Sequence, residues 1–295
     1  MLIKRVMKHL SRVNDVFFRR LRIERDITIF PDDVFVTAYP RSGNTWTRFL
    51  VGNLVHPEEP VTFLNLERLA ADMYKHSDRY LRHLPRPRIL KSHEVFDPRY
   101  KKVIYVVRDP RDVAVSNYFW EIKIRSFNDQ LPIQDFVPHW IEGNAWERVG
   151  SWGDHVTSWM STRGDRSGFL LLRYEDLIAD PARELVKVAH LLGIDATPER
   201  LARAAELSSA DRMRDLEEKQ GKKWVQTRYT RQDTRFVRKA SSGGWKSVLP
   251  PQSVAQIETA WGHVMISVGY QLLSETASKA GPAHQVSRSP SEVGR

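Results

Sequence analysis

The chain of 295 residues contains no cysteine. Disulfides and Cys-based metal sites are therefore excluded, and the fold does not depend on an oxidising compartment. No apolar run approaches the roughly 20 residues that a membrane span needs. The first residues carry Lys4, Arg5 and Lys8, but no uninterrupted apolar segment follows, unlike a secretory signal. A soluble, cytoplasmic chain is the expectation. No internal repeat is present. No cluster of His or carboxylate residues has metal-ligand spacing, so no metal is expected.

Negative charge is also in short supply. Lys and Arg outnumber Asp and Glu by 46 to 36, a formal net charge of +10. Such a balance suits nucleic acid, an anionic membrane surface or an anionic small ligand, or it is simply a solvated basic surface. What decides between these is where particular basic residues fall. Residues 1–28 read as a basic amphipathic helix. Leu2, Val6, Leu10, Val13, Phe17 and Leu21 recur at helical spacing, and Lys4, Arg5, Lys8, Arg12, Arg19, Arg20 and Arg22 supply the other face. That helix either touches a membrane peripherally or docks on the domain. Residues 29–273 are expected to form one domain. Residues 274–295, rich in Ser, Ala, Gly and Pro, read as a disordered tail.

Short apolar strands alternate with helices. Strands are expected at Val34 to Tyr39, Arg88 to Lys91, Lys102 to Val107 and Phe169 to Arg173. Helices are expected at Thr45 to Val55, Arg111 to Trp120, Pro181 to Leu192 and Gln252 to Val268. This alternation predicts an α/β fold with a central parallel sheet covered by helices on both faces.

The first strand runs into Tyr39-Pro40-Arg41-Ser42-Gly43-Asn44-Thr45-Trp46. A strand, a tight glycine turn and a helix start make an anion site, because the first helical N–H groups lack partners and the helix dipole favours negative charge. Ser42 and Thr45 add hydroxyls, and Arg41 adds a fork of donors suited to phosphate or sulfate. The nucleoside-triphosphatase pattern GxxxxGK[ST] is absent, since Asn44 stands where its Lys would be. That disfavours a kinase using ATP and magnesium.

Two further strands end in chemistry. Ile89-Leu90-Lys91-Ser92-His93 delivers a Lys and a His to a carboxyl end, where open α/β sheets bind ligands. Histidine is the natural general base near neutral pH. The third strand ends at Arg108, followed by Asp109-Pro110-Arg111-Asp112 and then Ser116. Arg111 and Asp112 read as a surface pair or helix-cap groups.

Together these strings resemble the sulfotransferases that use 3′-phosphoadenosine 5′-phosphosulfate, in particular a bacterial-like form of the cytosolic-type domain with its P-loop-like fold. Tyr39 to Trp46 is similar to that family's 5′-phosphosulfate loop, Tyr-Pro-Lys-Ser-Gly-Thr-Thr-Trp. The resemblance implies that Arg41, Ser42, Gly43, Asn44, Thr45 and Trp46 bind the donor, with Trp46 as adenine platform. Arg41 and Asn44 depart from the usual Lys and Thr. Lys91 and His93 resemble the Lys-Thr-His motif, which implies that His93 deprotonates the acceptor while Lys91 steadies the transferring group alongside Arg41. Arg108 and Ser116 resemble the 3′-phosphate motif. Tyr174, in Arg173-Tyr174-Glu175-Asp176, resembles a tyrosine that approaches the adenine. Arg238 and Lys239 resemble the start of a loop, Arg-Lys-Gly-x-x-Gly-Asp-Trp-Lys, that closes over the donor. Here Ala240 and Gly244 depart from it. Near Ser208 the family often has Thr-Ser-Phe, and this chain has Ser208-Ser209-Ala210. Ser208 is expected to keep a polar contact.

The implied function is transfer of a sulfuryl group to a hydroxyl or amine of a small-molecule, glycan or lipid acceptor, with the phosphosulfate donor as co-substrate and no metal. No nucleic-acid motif is recognisable. The rival readings are a catalytically silent nucleotide-binding protein on the same fold, or a basic nucleic-acid-binding protein. Acceptor walls are expected from Pro57 to Pro87 and from Ile122 to Trp146, using Phe63, Tyr74, Tyr80, Phe127, Phe136, Trp140 and Trp146. Pro250-Pro251 interrupts the region where the family often carries a dimer motif, so the oligomeric state stays open.

Overall fold

The computed structural model describes residues 27–127, 131–143, 149–164, 166–238 and 240–273. Residues 1–26 of the expected basic helix, the expected tail, Lys239 and Trp146 lie outside them. Five parallel strands form one sheet in the order β2-β3-β1-β4-β5. They are β1 (Val34–Ala38), β2 (Ala71–Asp72), β3 (Ile89–Ser92), β4 (Lys102–Val107) and β5 (Phe169–Arg173). The four strands expected from the sequence are present. The two-residue edge strand β2 is too short for any periodicity to reveal it.

Alternate residues of the central strands enter opposite cores. Phe35, Val103, Tyr105 and Val107 face one cluster, with Trp140, Trp152, Trp159 and Ile257. Val34, Val36, Ala38, Ile104 and Val106 face the other, with Phe49, Leu50, Leu54 and Val188. This is why the strands read as nearly continuous apolar runs. Each buried aliphatic or aromatic side chain contributes about 1.5–3 kcal/mol of transfer free energy.

Strand order reverses at β1. The chain passes first to β2 and β3 on one side and then to β4 and β5 on the other. Such a switch opens a crevice at the carboxyl ends of the strands. The turn after β1 leads into helix α1 (Asn44–Val55). Helix α4 (Pro110–Lys123) follows β4, with Asp109 capping it by accepting from the Arg111 amide. Earlier in the chain lie α2 (Leu66–Leu69) and α3 (Asp78–Arg82), and α5 (Ile133–Ile141) follows α4. Thus the loop after β1, the end of β3 and the start of α4 meet at one edge of the sheet.

Candidate active site

One cavity of about 320 Å³ occupies this crevice. Its wall includes Arg41, Gly43, Asn44, Thr45, Trp46, Lys91, His93, Arg108, Ser116, Tyr174 and Arg238. Residues up to 197 positions apart, from Arg41 at the first turn to Arg238, therefore share one space.

The turn itself is built for close approach. Gly43 has φ +101°, and a Cβ there would lie 2.5 Å from Tyr174 Cδ2. Arg41 is also left-handed at φ 70°, a conformation that costs a residue with a Cβ about 1–2 kcal/mol. Asn44 anchors the turn from below: its Nδ2 donates to the carbonyls of Val36 (2.9 Å) and Ser92 (3.3 Å). That side chain ties β1 to β3, which accounts for an amide in place of a hydroxyl. Ser42 is fully buried and outside the cavity wall, and its hydroxyl has no partner among the described residues. Ser208 is likewise outside the wall. Its hydroxyl donates to the Ala204 carbonyl and accepts from Asn53, while its carbonyl accepts from the Trp46 indole at 2.8 Å. The expected polar contact of Ser208 is thus spent inside the protein, where it orients Trp46. Trp46 meets Tyr174 edge to face, with centroids 5.5 Å apart.

Three guanidiniums crowd the other end. Arg108 donates to the carbonyls of Arg41 (3.3 Å) and Ser241 (3.2 Å) and lies over the Tyr174 ring. Arg41 donates from Nε to the Ser116 hydroxyl at 3.3 Å and lies over Trp120 and Phe236. Arg238 lies over Phe119. None of the three has a carboxylate partner among the described residues, and Arg108 Nε is buried without an acceptor. Burial, followed by the charges of Arg238 and Arg108, pushes Arg41 down to about 9. Burial and the Arg108 charge lower Arg238 to about 10, so Arg41 and Arg238 both remain cationic at neutral pH. Cations packed together and not ion-paired to carboxylates make a site for a multiply charged anion.

Ala240 has φ 49°. The backbone therefore keeps the left-handed turn that a glycine would take, despite its Cβ. Asp112, predicted at the surface, is buried: it accepts from the amides of Gly243 (2.7 Å) and Trp245 (2.9 Å). Arg111 is also buried, paired with Asp109 and Glu258 and set against the Trp245 ring. Of the two readings of this pair, surface pair or helix-cap groups, the surface one fails because Glu258 and the Gly243 and Trp245 amides reach them from far along the chain, which local spacing does not reveal. Both hold the closing loop onto helix α4.

At the end of β3, His93 Nδ1 lies 2.6 Å from the Ala38 carbonyl. A carbonyl only accepts, so Nδ1 carries the proton and Nε2 presents a lone pair. Burial, then the Lys91 charge, lowers His93 to about 3, so it is neutral in the free protein at physiological pH. Lys91 is held by Asp72 at 2.7 Å. Behind it, the Asp72 amide donates to Glu67, which also pairs with buried Arg48 at 3.0 Å and His76 at 3.1 Å. Burial pushes the Asp72 carboxyl up, but Lys91 and Arg48 outweigh it and hold Asp72 well below the carboxylate range. Sequence reasoning missed this backing because no motif flags an Asp on a two-residue strand.

The expected acceptor walls are only partly right. Tyr74 lines the cavity. Phe63, Phe136 and Trp140 are buried in the cores, Tyr80 is exposed, and Phe127 packs on Tyr118 and Phe136. Met73, Lys75, Glu94 and Val149 line it as well.

His155, from helix α6 (Trp152–Arg163), was not singled out from the sequence. Its Nε2 donates to the His93 carbonyl at 3.2 Å, and its Nδ1 accepts from Tyr105 at 2.8 Å. Burial lowers it to about 4. Glu121 is raised to about 7 by burial, against the Ser126 hydrogen bond and the Arg41 charge. These three groups set a pH dependence. Unfolding lets both histidines take up protons below about pH 6.5, while Glu121 gives one up above about pH 4.5. The two lowered histidines contribute stability that is lost as pH falls from 6.5. The raised carboxyl contributes stability that is lost as pH rises towards 7. The net uptake by these three groups is about one proton, so together they should lower stability by roughly 1.4 kcal/mol per pH unit from 6 to 5. Denaturant titrations measure this. In a His155→Phe variant the slope should fall by about one proton's worth; an unchanged slope would mean that His155 does not stay neutral in the fold.

No helix among the described residues is long and apolar enough to cross a membrane. Among them, no group of three or more His, Asp or Glu side chains is arranged to hold a metal ion.

Residues 31–269 match the family model described as the sulfotransferase domain. The chain is 29% identical over 237 residues to 3-beta-hydroxysteroid sulfotransferase of Cavia porcellus, covering 77% of this chain and 81% of that protein. It is 29% identical over 249 residues to 3-alpha-hydroxysteroid sulfotransferase of the same species, covering 81% and 84%. In fold it is similar to retinol dehydratase solved with androsterone and the inactive cofactor PAP, with TM-score 0.71, 20% identity and 88% of each chain covered. It is also similar to a mouse sulfotransferase complexed with PAP, with TM-score 0.66, 23% identity, and 86% of this chain and 91% of that one covered.

Proposed function

The chain belongs to the sulfotransferase domain family, and we propose that it moves a sulfuryl group from 3′-phosphoadenosine 5′-phosphosulfate to an acceptor hydroxyl or amine, with His93 as general base. The observation that carries this reading is the sharing of one cavity by three guanidiniums without carboxylate partners and a histidine whose Nε2 lone pair is free. The unpartnered Arg108 Nε and the glycine cradle at Gly43 suit an anionic nucleotide.

The donor supplies an activated sulfuryl group on a phosphate leaving group. The amides at the start of helix α1, Thr45 and Arg41 hold the leaving phosphate end and offset its growing charge. Lys91, aimed by Asp72, steadies the transferring oxygens. Trp46 and Tyr174 give the adenine an apolar corner. Arg108, Ser116 and Arg238, with Lys239 beyond the described residues, take the 3′-phosphate. His93 accepts the acceptor proton at Nε2, while the Ala38 carbonyl fixes its tautomer. The names of the relatives favour a small-molecule alcohol as acceptor.

Calorimetry with 3′-phosphoadenosine 5′-phosphate (PAP), AMP and ATP with magnesium tests the reading. Tight binding of the bisphosphate and weak binding of the other two is expected. Preference for ATP, or no nucleotide binding by folded protein, would overturn it. Bisphosphate binding without transfer to any acceptor would point to a silent relative. Gly43→Ala should weaken bisphosphate binding at least about tenfold, since its Cβ collides with Tyr174 and the left-handed turn costs about 1–2 kcal/mol. Wild-type affinity in that variant would mean the turn does not touch the nucleotide.

A further inference from the structure

We propose that the acceptor is a hydroxyl compound carrying a cationic amine, and that Glu94 is the residue that selects it. This rests on the sulfotransferase reading and narrows its acceptor class.

Three carboxylates line the cavity: Asp72, Asp112 and Glu94. Two are fully engaged. Asp72 pairs with Lys91 and accepts the Tyr74 amide. Asp112 takes the amides of Gly243 and Trp245, one on each oxygen. Glu94 has no cation within ion-pair distance among the described residues. Its carboxylate accepts one hydrogen bond, from the Tyr74 hydroxyl to Oε1 at 3.1 Å. The other oxygen is left for a ligand.

The position of Glu94 is tightly set. Its amide donates to the Ser92 hydroxyl at 3.0 Å, and its carbonyl accepts from the Trp159 indole at 3.0 Å. The Tyr74 hydroxyl that donates to Glu94 also accepts from the His93 amide at 2.8 Å. One tyrosine oxygen therefore links the backbone amide of the general base to the Glu94 carboxylate. His93 and Glu94 are consecutive residues on the wall of the same cavity.

Charge supports the same class. Six cations line the cavity, Arg41, Arg48, Lys75, Lys91, Arg108 and Arg238. Arg41, Lys91, Arg108 and Arg238 are assigned above to donor anions, and Arg48 pairs with Glu67. A 3′-phosphate alone brings about two negative charges. The donor anions thus take up the positive charge at their end of the cavity, and Lys75, the lining cation left for the acceptor end, makes no ion pair with Glu94 among the described residues. A neutral acceptor would leave that carboxylate half-solvated and unpaired, at a desolvation cost. An ammonium there gains a charge-assisted hydrogen bond, which corresponds to about 10- to 100-fold in affinity.

The test uses two phenols that differ by one amine, tyramine and 4-ethylphenol. Each is titrated into the full-length protein saturated with PAP, so that binding is read without turnover. Tyramine should bind at least about tenfold tighter. Glu94→Gln, which keeps the volume and an acceptor for Tyr74, should bring the ratio close to one, and Glu94→Asp should retain a preference. Equal binding in the wild type, preference for 4-ethylphenol, binding of neither, or a tyramine preference that survives Glu94→Gln would each overturn the proposal. Failure of PAP itself to bind would instead sink the sulfotransferase reading, so the two failures are distinct.

Discussion

Replacing His93 with alanine is expected to lower kcat about 10²- to 10⁴-fold, the usual range for loss of a general base, while PAP binding stays within a few-fold of wild type. The geometry argues for so uneven an effect. Nδ1 is committed to Ala38, so Nε2 is the only nitrogen that can take a proton from an acceptor. In the free protein His93 is a weak base, lowered to about 3 by burial and then by Lys91. An anionic donor laid against Lys91 offsets that charge. His93 should therefore titrate higher in the complex than alone, and nitrogen chemical shifts read across pH with and without PAP measure the change. An upward shift together with a slow alanine variant fits the assignment. Near-normal turnover in the variant would remove His93 from the role, and a titration unmoved by PAP would mean that the donor end does not reach Lys91.

The same site shows what a single sequence can carry. Tyr39 to Trp46, Lys91-Ser92-His93 and Arg108 were legible because each lies in one short stretch at a strand end. The physics there is local: a strand stops, a glycine turns, a helix begins. Four of five strands were legible for a related reason, since strands buried on both faces read as unbroken apolar runs. What stayed hidden depends on partners distant in the chain. The Trp46 indole is fixed by the Ser208 carbonyl, 162 residues away. Asp112 and Arg111 look like cap residues until residues 243–258 fold over them. Asp72 on β2 and His155 on helix α6 act on Lys91 and His93 through side chains whose spacing carries no period. The expected acceptor residues were misread for the opposite reason. An aromatic near the site fills core as readily as cavity, and Phe63, Phe136 and Trp140 went to the core.

Arg108→Ala should weaken PAP binding about 10- to 10²-fold, from the loss of charge-assisted hydrogen bonds of about 1.5–3 kcal/mol. It should have far less effect on adenosine 5′-phosphosulfate, which lacks the 3′-phosphate. The structure also gives Arg108 a second role, which that contrast separates from recognition of the 3′-phosphate. Arg108 rests on the Tyr174 ring, and its two outer nitrogens reach the Arg41 and Ser241 carbonyls. Removing it therefore also loosens the link between the first turn and the loop that begins near Arg238. A purely structural role would weaken both nucleotides alike, because both need the first turn. Direct recognition of the 3′-phosphate weakens one. Arg108→Lys separates the two contributions further: it keeps a cation but loses the fork that spans both carbonyls. If the 3′-phosphate sees mainly charge, the lysine variant recovers much of the PAP affinity. If the fork matters, it behaves like alanine towards PAP. Equal losses for both nucleotides in the alanine variant would contradict the assignment and leave Arg238 and Lys239 as the residues to replace next.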